Sequence, residues 1–151
     1  MTSLQLPQWK LSTLGGAPAP KLTSYLGKPL LVLFYSIGCP GCKSRAIPYA
    51  KAWHQQYGAD LHLIGVHTHF SRRAYSPQQI QEVNQVYQVP FKVYLDHGHA
   101  AADLFQADGT PHWALLDQKG QLIRSVFGSM PNAIHRIDYA LTELFQKANL
   151  H

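Results

Sequence analysis

Leu30-Leu31-Val32-Leu33-Phe34-Tyr35 is an unbroken apolar run, and three residues separate it from Cys39-Pro40-Gly41-Cys42. A short continuous apolar run suits a strand buried on both faces, which requires layers above and below it. Beyond the first cysteine, Cys42, Ala46, Tyr49, Ala50, Trp53 and Tyr57 recur at steps of three and four, the spacing of one apolar helical face. Gly58 then supplies a suitable residue just past the helix end.

The pattern continues to the end of the chain. Residues 61–66 read as a second apolar strand. Ser76-Pro77-Gln78-Gln79 reads as a helix start, with a Ser cap, Pro at the first position and Gln three residues after the cap. Ile80, Val83 and Val86/Tyr87 give that helix a narrow apolar face. Residues 91–95 form a strand and 100–105 a short helix; 113–116 and Leu122–Phe127 flank a turn at Lys119-Gly120 as a hairpin. Ile134, Ile137, Leu141, Leu144 and Phe145 mark an amphipathic closing helix. Alternating strands and helices ending in a hairpin and a helix imply an α/β fold, a mixed central sheet with helices on both faces. No linker or repeat interrupts the chain, and 151 residues suit one domain over 1–151.

Composition narrows the function classes. Charged residues are 14% of the chain against about 25% in ordinary soluble proteins, while apolar content is normal, so disorder is excluded. The run of six is far short of the roughly 18–20 residues that cross a bilayer, so no membrane partner is expected. Residues 1–7 carry neither a basic stretch nor an apolar one, and the expected location is cytoplasmic, or periplasmic if a leader was removed. Residues 1–59 hold six basic side chains and no acidic one, yet these lie scattered rather than clustered with aromatics, which argues against nucleic acid as a partner.

That acid-free stretch contains both cysteines. A disulfide closing so short a loop removes little entropy from the unfolded chain, which argues against a structural staple. Structural zinc wants four ligands, and no second CxxC exists. A CxxC between a buried strand and a helix reads instead as a redox dithiol. Pro40 suits the first helical position and so places Cys39 at the N-cap, its sulfur among unpaired backbone N–H groups at the positive end of the helix dipole. A thiolate there is stabilised. Lys43 and Arg45 act in the same direction, and Cys42, one turn on, is expected to be the buried resolving thiol.

On these residues the chain resembles the thioredoxin-like fold, and within it the TlpA/ResA-like thiol-disulfide oxidoreductases, neighbours of the AhpC/TSA redoxins. The resemblance runs from about Trp9 to Gln146. Leu22-Thr23-Ser24-Tyr25-Leu26-Gly27-Lys28-Pro29 is similar to the family's lead-in, and Phe34-Tyr35-Ser36-Ile37-Gly38-Cys39-Pro40-Gly41-Cys42 to its active-site stretch. Gly109-Thr110-Pro111 before Trp113-Ala114-Leu115-Leu116-Asp117 is similar to its cis-proline loop and next strand, and residues 76–96 to its helix–strand insertion.

The resemblance implies thiol–disulfide exchange with Cys39 and Cys42 as catalytic residues, while the place of Pro40, Gly41, Lys43 and Arg45 in the first helical turn makes them the residues expected to support the thiolate. Thr110 and a cis Pro111 would bind substrate. It implies no dissociable cofactor and no metal. The implied partners are a thiol- or disulfide-bearing protein and a thiol reductant of thioredoxin-reductase or glutathione type.

Four departures stand out. Gly38 replaces a common Trp, Leu33 replaces the buried acid of thioredoxin, Arg45 replaces a frequent Glu, and Pro48 lies six residues after Cys42 rather than five. A cationic site without a carboxylate favours the reduced form, which places the reduction potential above that of thioredoxin.

Three other readings are weighed against this one. A thiol-dependent peroxidase of AhpC/TSA type would present Pro-x-x-x-Thr-x-x-Cys, and the stretch here has neither the Pro nor the Thr. His67-Thr68-His69 on a strand or His97-Gly98-His99 in a loop could hold a metal, as in copper chaperones of the Sco type, but those use CxxxC. A non-catalytic binding module on the same scaffold would have no use for an intact cysteine pair.

Overall fold

The computed structural model describes residues 9–68 and 74–149. Its strands are β1 (Leu11–Thr13), β2 (Leu30–Tyr35), β3 (His62–His67), β4 (Lys92–Asp96), β5 (His112–Leu116) and β6 (Leu122–Phe127). Its helices are α1 (Ile47–Tyr57), α2 (Pro77–Val86), α3 (Ala100–Leu104) and α4 (Pro131–Asn149). One mixed sheet runs in the order β1-β4-β3-β2-β5-β6. Strands β2, β3 and β4 are parallel, whereas β5, β6 and the edge strand β1 pair antiparallel with their neighbours.

Every residue of the central strand β2 is buried, and its alternation divides the core in two. Leu31, Leu33 and Tyr35 point into a cluster with Cys42, Ile47, Ala50 and Trp53 on one side of the sheet, closed by Ile134, Ile137 and Leu141 of α4. Leu30, Val32 and Phe34 point the other way, against Trp9, Leu22 and the α3 residues Ala101 and Ala102. Each such side chain contributes about 1.5–3 kcal/mol by leaving water, so both faces of β2 must be covered.

Two indole rings tie the layers together. Trp113 of β5 is fully buried and donates to the Gly128 carbonyl at 2.8 Å. Trp53 of α1 meets it edge-on at 5.3 Å and donates to Asp138 Oδ1 of α4 at 2.9 Å.

The helix after the cysteines departs from simple periodicity. It begins at Pro40, and residues Cys42–Ala46 form a π-helical turn, closed by the Ile47 N–H on the Cys42 carbonyl. A π-turn takes up one extra residue within a helix. This is the structural counterpart of Pro48 lying six residues after Cys42. Beyond the turn Ile47 is buried at 1% exposure together with Ala50 and Trp53, whereas Tyr49, expected on the apolar face, is 44% exposed at its edge. In α2 the predicted Ser76 capping box is formed in full, but Val86, the last residue of the helix, is 77% exposed. The short strand β1 carries too few residues to show a period and is not legible in the sequence.

Candidate active site

Cys39 caps the helix with its own sulfur. Its Sγ accepts the Cys42 N–H at 3.3 Å, and its carbonyl accepts the Cys42 and Lys43 N–H groups at 3.1 and 3.3 Å. The thiol lies 3.5 Å from the Thr110 carbonyl, to which it donates, and is partly exposed. An amide N–H aimed at sulfur supports the charge of a thiolate.

Cys42 is the opposite case: it is fully buried. Burial pushes its thiol well above the ordinary range, and its hydrogen bond to Cys39 pushes it further. The Ser36 backbone and the Thr110 side chain pull the other way without reversing the shift. None of these groups is a carboxylate. The position of thioredoxin's buried acid is filled by Leu33, at zero exposure.

The loop between β2 and the helix is held from several sides. His67, at the end of β3, accepts the buried Ile37 N–H on Nε2 at 3.1 Å. Ser36 accepts the Gly38 N–H on Oγ at 3.2 Å and the Cys39 N–H on its carbonyl at 3.0 Å. Opposite, the Thr110–Pro111 peptide is cis, and the Pro111 carbonyl accepts the Gly128 N–H at 2.8 Å.

Arg45 reaches back over the site. Its Nε donates to the buried Ser129 Oγ at 3.2 Å, and that hydroxyl in turn lies 3.4 Å from the Gly41 carbonyl. A Cβ built on Gly41 would stand 3.3 Å from Ser129 Oγ and 3.4 Å from an Arg45 terminal nitrogen, so glycine leaves this passage open. Lys43 lies in the π-turn, half-buried, and Pro40 begins the helix. The fold therefore brings Pro40, Gly41, Lys43, Arg45, Thr110 and Pro111 around the cysteine pair. The contributions of His67 and Ser129 carry no sequence signal, because they lie 30 residues from Ile37 and 84 from Arg45.

The other histidines lie elsewhere. His112 comes directly after the cis-proline but faces the second core cluster, edge-on to Phe34 at 6.4 Å, with Nε2 2.7 Å from Ser125 Oγ. Burial holds its pKa below the ordinary value, with Asp108 acting weakly against that. His97 Nε2 lies 2.8 Å from Ser12 Oγ. His67 serves the active-site loop, and His69 lies outside the described residues. Among the described residues no three His, Cys, Asp or Glu side chains converge as a metal site.

Comparison with known proteins agrees with this architecture. The chain is 30% identical over 95 residues to the thiol-disulfide oxidoreductase YkuV of Bacillus subtilis, an alignment covering 63% of this chain. The chain spans 64% of that relative's length, just under two thirds. Among solved structures, a thiol-disulfide isomerase from Corynebacterium glutamicum superposes with a TM-score of 0.77 at 21% identity, covering 91% of this chain and 95% of the other. A thioredoxin-like protein in its oxidised form superposes with a TM-score of 0.71 at 27% identity, covering 83% and 86%. The fold is thioredoxin-like. With its residues 3–127 matching the family model, the chain belongs to the AhpC/TSA family.

Proposed function

We propose that this protein is a thiol–disulfide oxidoreductase that works through Cys39 and Cys42. The observation that carries the reading is the asymmetry of the two sulfurs. Cys39 is partly exposed and backed by the Cys42 N–H, while Cys42 is sealed behind it with its proton held by burial.

The Cys39 thiolate attacks one sulfur of a substrate disulfide, forming a Cys39–substrate disulfide and expelling the other substrate sulfur as a thiolate. Cys42 then loses its proton and attacks Cys39 Sγ, releasing the second substrate thiolate. Two electrons pass to the substrate, its two sulfurs leave as thiols, and Cys39–Cys42 is left as a disulfide. The Thr110 hydroxyl, bonded to Cys42, stands where a proton could be passed outward in place of the missing acid. Resetting the pair needs an external dithiol or two small thiols, and a thioredoxin-reductase or glutathione type of donor supplies that chemistry. The substrate class is a thiol- or disulfide-bearing protein.

Insulin-disulfide reduction by dithiothreitol, measured beside hydrogen peroxide turnover, tests the reading. Only the parent should turn over efficiently; with the dithiothreitol removed, Cys42→Ser should accumulate a mixed disulfide with insulin, and Cys39→Ser should do neither. Peroxide turnover that outpaces disulfide exchange and survives Cys42→Ser would replace this reading with a peroxidase.

A further inference from the structure

Gly38, immediately before the nucleophile, is not a glycine for reasons of backbone. Its φ lies outside the left-handed region, so an L side chain would fit the main chain. A side chain there would have to displace the Tyr75 ring. A Cβ built on Gly38 would stand 2.9 Å from Tyr75 Cζ and 3.2 Å from Cε2, with the hydroxyl oxygen nearer still. The side chain flanking the nucleophile on this side is thus donated by a residue 37 positions away in the chain.

Tyr75 is held firmly for this task. It directly precedes the Ser76 cap of α2, where Ser76 Oγ accepts the Gln79 N–H at 3.1 Å and Gln79 Oε1 accepts the Ser76 N–H at 2.8 Å. A hydrophobic residue before a capping box commonly packs on the fifth residue beyond it, and that residue, Ile80, is buried in the same core cluster that Tyr75 packs against. Its ring also meets His67 edge-on at 6.0 Å, and His67 holds Ile37. Yet Tyr75 is only partly buried, so part of it faces solvent.

We propose that Tyr75 is a specificity-determining residue, a wall beside Cys39 that contacts the peptide flanking a substrate disulfide and so favours protein over small disulfides. This rests on the reading of the protein as a thiol–disulfide oxidoreductase. On this proposal a polypeptide that brings its sulfur to Cys39 meets the Tyr75 ring at the neighbouring Gly38. An aromatic face with a hydroxyl suits such a chain, offering both apolar contact and a hydrogen-bonding group. A small disulfide reaches the sulfur without that contact.

The test uses the Cys42→Ser protein, in which Cys39 captures a disulfide once and stops. Capture rates are measured with oxidised insulin and with 5,5′-dithiobis(2-nitrobenzoate). Tyr75→Ala should slow capture of insulin by about three- to tenfold and change capture of the small reagent by less than about twofold. Tyr75→Phe should keep most of the preference for insulin. Gly38→Ala, which leaves the tyrosine in the chain but displaces it, should act like Tyr75→Ala, and the double variant should be no worse than either single one. Urea unfolding of each variant identifies any loss that comes from instability, and Tyr75→Phe and Gly38→Ala carry the test if Tyr75→Ala does not fold. Equal slowing with both reagents, or no change with either, would overturn the assignment while the exchange reaction itself stands. A Cys42→Ser protein with Tyr75 intact that captured neither reagent would overturn the exchange reading and this one with it.

Discussion

Replacing His67 by leucine removes the acceptor that holds the loop in front of the nucleophile while keeping a similar apolar bulk. In the native protein the Ile37 N–H is buried and ends on His67 Nε2 at 3.1 Å. A buried donor left without a partner costs about 1–3 kcal/mol. The imidazole also sits edge-on to Tyr35 at 5.4 Å and to Tyr75 at 6.0 Å, and losing such ring contacts costs about 0.5–1.5 kcal/mol more. His67→Leu should therefore lose about 2–4 kcal/mol of stability. At about 2–4 °C per kcal/mol for a chain of this length, Tm should fall by about 4–16 °C. Urea unfolding reads the free energy, and hydrogen exchange at the Ile37 amide reads the local cause, since that amide should become one of the fast ones. His67→Gln retains an acceptor and should recover at least about 1 kcal/mol of the loss. A leucine variant within about 0.5 kcal/mol of the parent, or a glutamine variant no better than leucine, would refute the argument.

The site carries Lys43 and Arg45, and no carboxylate is among the groups acting on Cys42. Its reduction potential should lie above the roughly −270 mV of thioredoxin, and an equilibrium with glutathione that gave a value as negative as that would contradict the electrostatic account. His112 supplies a pH test, because its folded pKa lies below the ordinary value through burial. Below about pH 6.5 the unfolded chain takes up a proton that the folded one resists, so stability should fall as pH drops from there, by up to about 1.4 kcal/mol per unit. His112→Phe should flatten that slope between pH 7 and 5, and an unchanged slope would mean that other groups set it.

Local chemistry made much of this protein legible in advance. The six apolar residues of β2 suited a short strand buried on both sides, because a strand with one face in water would alternate with polar residues. Ser76, Pro77 and Gln79 announced the start of α2 because a capping box is satisfied within four residues. The place of Cys39 at the head of a helix was signalled by Pro40, whose missing N–H costs nothing at the first helical position. Where periodicity was the only guide, it slipped. Tyr49 lies at the exposed edge of a face whose Ala46, Ala50 and Trp53 are buried, and spacing alone does not reveal the change of hydrogen-bond step at the π-turn Cys42–Ala46.

From the sequence alone come the elements, their order and the reactive pair, since each depends on neighbours within a few residues. The tertiary structure decided what surrounds that pair: His67 beneath Ile37, Ser129 beneath Arg45, Tyr75 over Gly38 and Thr110 at both sulfurs. These contacts join residues 30 to 84 positions apart, or belong to loops brought together only when the sheet closes. No local pattern encodes them, because hydrogen-bond and packing partners are selected by proximity in space after the strands have paired.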